Sequence, residues 1–412
     1  MHSPFPFNAP ARLVDHMRQA AEPGVINLGA GVPGLDALPF EALRHAAEEA
    51  FAEEGAALFS YQHPSGDPRL RALLVERLAL RGVKGIGPDN LVTTTGCTQA
   101  LHAILSVLIK PGDVVACESP AYYGMLEILA DAGARALPLP IRGSQGLDLD
   151  AAEAAFARWK PTCLVVCTSL SNPTGATLPV PARERLVALC RKHGVRLVED
   201  DIYSELLDAG APPPCRAFDD GSVVSYVTSF SKTVAPGLRI GFCIPGTPEI
   251  EDALAALKCR QDIHSPVLTE AILRRFLAAG LFDPHLQRLR ERNRRRRALA
   301  LESIRASFPP GSEVHAPEGG YMLWVRLPEQ VEIRSVVARA KEEKVSFASG
   351  TGFYAVAEGG ARPLPHVRLN CARGTEEELK RGVEILGGVV SALARPKSAP
   401  EYVTQISPNT SI

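Results

Sequence analysis

Val223-Val-Ser-Tyr-Val-Thr-Ser-Phe-Ser-Lys-Thr-Val-Ala-Pro-Gly-Leu-Arg-Ile-Gly-Phe-Cys-Ile244 holds two β-branched and aromatic runs, 223–228 and 239–244, joined by a loop with a single lysine, Lys232. Runs of this composition bounded by Ser, Pro and Gly read as strands. Further candidate strands lie at 114–117, 164–168 and 195–199, and 182–193 reads as a helix between two of them. Short β-branched runs alternating with helical patterns are the signature of strands joined by crossover helices, so the chain is expected to be α/β with a mostly parallel sheet.

The 412 residues are 46% apolar and 22% charged, with a net charge of −1. That length and balance fit two domains with large cores. Near-neutral charge argues against nucleic acid or a membrane surface as the main partner. No window approaches the roughly 18 unbroken apolar residues of a membrane helix. Met1-His-Ser-Pro-Phe5 lacks the basic start and apolar middle of a signal peptide, so a cytoplasmic location is expected. Nine scattered cysteines without a Cys-x-x-Cys pair read as reduced, buried thiols, with no disulfide and no metal site. In Cys163-Leu-Val-Val-Cys167 a strand would put both thiols on one face.

After Phe282-Asp-Pro-His285 the chain turns Arg-rich and helical. It then passes through Gly319-Gly-Tyr-Met-Leu-Trp-Val-Arg326, a helix-like stretch and a strand at 366–370. The expected organisation is an arm over 1–40 that joins the small domain or a partner subunit, a large domain over 41–284, a smaller α/β domain over 285–395 and a flexible tail over 396–412. The arginine run within 288–297 covers all faces of a helix and reads as solvated or paired with acids.

In parallel sheets the ligand sits beyond the carboxyl ends of the strands, and the distinctive polar residues here follow strand ends. A partly desolvated lysine is a Schiff-base nucleophile, and the hydroxyls and Arg239 around Lys232 suit a phosphate dianion. The plain alternative is a solvated lysine in a serine-rich loop. In Val198-Glu-Asp-Asp-Ile-Tyr203, Asp200 would keep a pyridine nitrogen protonated and Tyr203 would donate to a phenolic oxygen. The same acids, Asp201 above all, also suit a helix cap. Ser169-Leu-Ser-Asn-Pro-Thr-Gly175 holds Asn172 rigid before a proline, and is also an ordinary turn. Thr93-Thr-Thr-Gly-Cys-Thr-Gln-Ala-Leu101 turns from strand to helix, where Gly96, Cys97 and Thr98 offer backbone N–H groups to a phosphate or simply cap the helix. In Val367-Arg-Leu-Asn370, Arg368 would fork onto a carboxylate or sit on the surface.

Ser229-Phe-Ser-Lys232 with Pro236-Gly237 and Arg239, Asn172-Pro-Thr-Gly175, Asp200-x-x-Tyr203, Tyr61 in Phe59-Ser-Tyr-Gln-His-Pro-Ser-Gly66, and Arg368 together resemble the fold-type I, class I/II aminotransferases. In order and spacing these motifs are most similar to the aminoadipate/kynurenine aminotransferase branch and to the aminotransferase-like domain of MocR regulators, over about residues 26–393.

The resemblance implies a large domain with a mostly parallel, seven-stranded-type sheet between helices, and a smaller α/β domain. It implies pyridoxal 5′-phosphate, with Lys232 as the Schiff-base lysine and proton shuttle of an aldimine and quinonoid sequence. Asp200 would pair with the pyridine nitrogen, and Asn172 and Tyr203 with the phenolic oxygen. Ser229, Ser231, Arg239 and the turn Gly96, Cys97, Thr98 would hold the phosphate. Tyr122, or its neighbour Tyr123, matches the ring-stacking aromatic. Arg368, Asn172 and Gly31 would meet the substrate, an L-amino acid exchanging its amino group with a 2-oxo acid. Tyr61 would reach the phosphate of a neighbouring subunit, which implies a homodimer.

Elimination or replacement at the β or γ carbon, decarboxylation and cyclisation use the same constellation and stay open. A non-catalytic effector domain of a MocR-type regulator is the third reading, although only about 25 residues precede the resemblance. For a distal carboxylate the cations in view are Arg12, Arg18 and His264. The arm and the 261–266 loop are expected to line the side-chain pocket, and Glu270 follows that loop where relatives often have glutamine.

Overall fold

The structure, a computed structural model, describes residues 23–355 and 364–394. Arg12, Arg18, most of the arm and the 396–412 tail lie outside the described residues. Strands are numbered along the chain. After the short β1 (Ile26–Asn27) come β2 (Val92–Thr94), β3 (Val114–Ser119), β4 (Arg135–Pro140), β5 (Cys163–Val166), β6 (Arg196–Asp200), β7 (Val224–Ser229) and β8 (Gly241–Ile244). β2 to β8 form one seven-stranded sheet in the order β2-β8-β7-β6-β5-β3-β4. β8 runs antiparallel to both of its neighbours, and the other pairs are parallel.

A parallel sheet needs apolar residues on both faces because crossover helices cover both. β5 meets this by strict alternation. Cys163 and Val165 join Ile104 and Leu129 in the core on one side, while Leu164 and Val166 join Phe156 and Leu186 on the other. Each such side chain contributes about 2 kcal/mol when fully buried. The first core is closed by the helices Cys97–Leu108 and Tyr123–Asp131, the second by Leu149–Trp159 and Val180–His193.

Two expectations need correction here. β5 ends at Val166, so Cys167 leaves the strand and does not share a face with Cys163; it is half-buried and lies beside the cavity described below. β4 was not foreseen, because Pro138 and Pro140 disguise it. It occupies the sheet edge, where a missing N–H removes no bond from an outer neighbour.

The remaining strands are β9 (Glu313–Val314), β10 (Met322–Arg326), β11 (Val345–Ser346), β12 (Ala348–Ser349) and β13 (His366–Asn370). β12-β13-β10-β9 form an antiparallel sheet, and β1 pairs parallel with β11. The helices Phe282–Ser307, Ile333–Glu342 and Glu376–Ala394 share a core with these strands through Ile304, Leu323, Val336, Val367 and Leu386, and Leu28 beside β1 is buried in it.

The arginine run fastens the long helix. Arg292 chelates Asp36, Arg295 pairs with Glu376, and Arg297 pairs with Asp208 while donating to the Gly320 carbonyl. Buried Arg296 departs from both expected fates by donating to the carbonyls of Cys371, Arg373 and Gly374. Among the described residues no helix is long and apolar enough to cross a membrane, and no cluster of His, Cys, Asp or Glu suits a metal.

Candidate active site

A cavity of about 1210 Å³ opens where β5, β6 and β7 end, roofed by residues 31–38 and by the second sheet's Arg368. Of the residues that the sequence assigns to cofactor or to the substrate carboxylate, all line this cavity except Gly96 and Tyr61.

Lys232 follows β7 between the buried Phe230 and Val234, and its Nζ donates to the Gly31 carbonyl at 2.6 Å. Burial, then the charges of Arg368 and Arg239, lower its pKa to about 8. About a tenth of its amine is therefore uncharged at pH 7, some hundreds of times more than for an ordinary lysine, and the uncharged form is the one a nucleophile needs.

Asp200 is the last residue of β6. Its Oδ1 accepts from the Cys97 thiol at 3.4 Å and from the Ile202 N–H at 3.3 Å. Burial raises its pKa to about 6 against those two bonds.

Asp201 and Glu199 flank it on the opposite face, as strand periodicity requires. Asp201 receives Arg81 at 2.6 Å, Tyr226 Oη at 2.8 Å and Ser204 Oγ at 2.8 Å. Asp201 is thus an ion-pair partner and not a helix cap; the turn Ser204–Leu206 has no side-chain cap bond. Glu199 accepts from Thr168 Oγ1 and from the N–H groups of Cys215 and Arg216.

The helix Cys97–Leu108 begins at the cavity, which its first residues Cys97 and Thr98 line. Gly96 caps it at φ 82°, and a Cβ there would stand 2.8 Å from Arg239 Nη2. Arg239 itself is left-handed at φ 55° and donates to the Thr95 carbonyl at 3.0 Å. Ser229 and Ser231 are buried alongside, the Ser231 N–H donating to Ser229 Oγ at 3.1 Å. Helix dipole, guanidinium and hydroxyls converge as a dianion would require.

Arg368 comes from β13 and is 1% exposed. Nη1 donates to Asn172 Oδ1 at 2.8 Å and Nη2 to the Gly29 carbonyl at 2.6 Å, while Nε has no partner. Its guanidinium lies 5.1 Å from the Phe353 ring centre and 5.9 Å from that of Tyr123. Among the described residues no carboxylate pairs with it. A buried cation held only by neutral acceptors is costly unless an anion visits.

Tyr123 is buried against Phe353 and Ala348, and Tyr122 stands beside it with ring centres 5.0 Å apart. Tyr203 is buried and meets Tyr321 edge-on at 6.5 Å. Tyr61 is 80% exposed outside the cavity and lies edge-on to His264 at 5.6 Å.

The 261–266 loop contributes nothing to the cavity lining, contrary to expectation. Asp262 instead receives Lys258 at 2.7 Å and Gln99 at 2.8 Å, which fastens the loop to the first turn of the helix Cys97–Leu108. Glu270 is structural as well, accepting from Gln62 Nε2 and the Asp67 N–H, both at 2.8 Å. The mouth of the cavity adds Asp36, Arg292 and Arg373, which no local motif announced.

Residues 23–386 match the family model for aminotransferase class I and II, and the chain belongs to that family. It is 32% identical over 381 residues to the 2-aminoadipate transaminase of Thermus thermophilus, covering 92% of this chain and 93% of that protein. The crystal structure of LysN, an alpha-aminoadipate aminotransferase from Thermus thermophilus complexed with N-(5′-phosphopyridoxyl)-L-leucine, has a TM-score of 0.85 at 31% identity, covering 93% and 96% of the two chains. An uncharacterized HTH-type transcriptional regulator of Escherichia coli, YjiR, is 28% identical over 92% of this chain and 79% of its own length.

The protein is accordingly a fold-type I, pyridoxal-phosphate-dependent aminotransferase. Its own residues fit that cofactor. An amine of lowered pKa, a carboxylate and an anion cradle that a Cβ on Gly96 would crowd all face one space.

Proposed function

We propose that Lys232 anchors the cofactor and carries the proton, and that Arg368 binds the α-carboxylate of an L-amino acid and of the 2-oxo acid that accepts its amino group. The observation that carries this reading is Arg368 itself, a buried cation with only neutral partners, in the same cavity as an amine whose pKa is lowered to about 8. When bound, pyridoxal phosphate supplies the electron-withdrawing ring that makes the proton beside the substrate carboxylate removable.

The chain's residues do the rest. Asp200 would face the ring nitrogen, Asn172 and Tyr203 the phenolic oxygen, and Tyr122 the ring face. Ser229, Ser231, Arg239 and the turn Gly96, Cys97, Thr98 would hold the phosphate. With Arg368 fixing one carboxylate, uncharged Lys232 Nζ takes the proton from the adjacent carbon and returns it on the other side of the exchange. Gly31 to Asp36 and Leu38 line the cavity, and a Cβ on Gly31 would stand 3.4 Å from Arg368 Nη2.

We read residues 41–284 and 285–395 as the large and small domains. The protein is a homodimer in this reading, with Tyr61 completing the partner's phosphate site. Exposed Phe51 and Phe59, whose ring centres lie 6.2 Å apart, together with exposed Tyr61 support it, since clustered exposed apolar side chains mark interfaces. All nine cysteines are free, which suits a reducing cytoplasm.

The test is incubation of the purified, cofactor-loaded protein with single amino acids, with and without 2-oxoglutarate or pyruvate, and product identification by mass spectrometry. Equal formation of a new 2-oxo acid and of glutamate or alanine is expected. Consumption of the donor beyond one equivalent per active site without an acceptor, or no consumption of any donor, contradicts the proposal.

A further inference from the structure

The backbone N–H of Cys97 belongs to the phosphate turn, but its side chain points elsewhere. The thiol turns out of the first turn of the helix Cys97–Leu108 and under the end of β6. There it meets Asp200 as the one side-chain donor to that carboxylate among the described residues. The Ile202 N–H binds the same oxygen, Oδ1. Among the described residues Oδ2 receives no donor and is not a buried, unsatisfied atom, so it opens to the cavity that both residues line. One oxygen is fastened and the other is presented.

We propose that Cys97 is a positioning residue, whose thiol holds Oδ1 of Asp200 so that Oδ2 faces the nitrogen of the cofactor ring. This rests on the role proposed for Asp200. A thiol suits the task because S–H is a weak donor: it sets the carboxylate's rotation while drawing little charge from the oxygen that must do the binding. A hydroxyl would hold the same geometry and take more of the charge; a methyl group would hold nothing. The other titratable groups around Asp200 are Lys232, Asp201, Cys167, Glu118 and Tyr122. Asp201 is engaged by Arg81 and Glu118 accepts from the Cys167 N–H and Ser171 Oγ, so neither replaces the thiol.

The test is a double-mutant cycle on cofactor binding, with Cys97→Ala and Asp200→Asn made singly and together and pyridoxal phosphate titrated into each cofactor-free protein. Cys97→Ala is expected to weaken binding about three- to tenfold, the worth of one modest hydrogen bond. The same substitution should have almost no effect in the Asp200→Asn background, because the group it orients is gone. Cys97→Ser should recover most of the loss, and steady-state kinetics of Cys97→Ala should show a lower kcat with an unchanged KM for the amino donor. Additive losses in the cycle, or a Cys97→Ser protein as impaired as Cys97→Ala, overturn the proposal and reduce Cys97 to packing. If the unaltered chain binds no pyridoxal phosphate, it is the functional reading that fails, an outcome the cycle separates from the first.

Discussion

Arg368 donates from Nη1 to Oδ1 of Asn172 at 2.8 Å, and this bond joins the two sheets of the molecule at the cavity. Asn172 follows β5 of the large sheet and Arg368 lies on β13 of the small one, so the proposed carboxylate site draws on both. The guanidinium is fixed before any ligand arrives, which lowers the cost of ordering it on binding.

Arg368→Ala should raise KM for the amino donor by about tenfold to a hundredfold, the range for a hydrogen bond to a charged group. Arg368→Lys should recover only part of this, because an ammonium lacks the planar fork. Steady-state kinetics with one amino acid at fixed acceptor measures both.

Lys232 should show its lowered pKa in the rate at which the cofactor-free protein captures pyridoxal phosphate. The reactive species is the uncharged amine, whose fraction rises with pH and levels off above the pKa. The rate should therefore climb through about pH 8, well below the 10.5 of an ordinary lysine. Stopped-flow absorbance over roughly pH 6–10, a range set about that pKa, measures it. Lys232→Ala should lower turnover by about 10²–10⁴-fold or more.

Adjacent aspartates should behave in opposite ways. Asp201→Ala leaves the half-buried Arg81 without its carboxylate and removes the acceptor of Tyr226 Oη and Ser204 Oγ, and should cost about 3 kcal/mol in denaturant unfolding. Asp200→Asn should abolish most turnover without such a loss. The pKa of Asp200 is raised in the folded, cofactor-free state, from 3.8 to about 6, so its ionisation disfavours folding. That cost appears as pH rises from about 4 to 6 and persists above. Cofactor-free Asp200→Asn should thus exceed the unaltered protein in stability at about pH 7 and lose that advantage below about pH 4.

Tyr61→Ala removes an exposed ring and should change monomer stability by less than about 0.5 kcal/mol. It should nonetheless weaken cofactor retention if, as proposed, the ring serves the neighbouring subunit. Dialysis against buffer, with sedimentation velocity to report the dimer, tests this pair of outcomes.

Much of the proposed site was legible in the sequence because several of its residues fall at or within a few positions of the end of a β-branched run. Asp200, Asn172 and Lys232 sit just past or at strand ends, where a parallel sheet delivers ligands. What stayed hidden depended on register or on distance along the chain. Asp201 looked like a cap until the strand's alternation turned it toward Arg81. Asp36 and Arg292 meet at the cavity mouth across 256 residues, so no local pattern pairs them. The inward turn of the Cys97 thiol depends on how the helix Cys97–Leu108 lies over β6, a matter of tertiary packing. The prolines of β4 concealed an edge strand because propensity carries no information about which neighbour is missing.

Whether Lys232 alone carries the cofactor can be read out by borohydride reduction of the loaded protein followed by peptide mass spectrometry. A stable phosphopyridoxyl addition on Lys232 and on no other lysine is the expected result. The addition on a different lysine, or none at all in a protein that binds the cofactor, would refute the assignment.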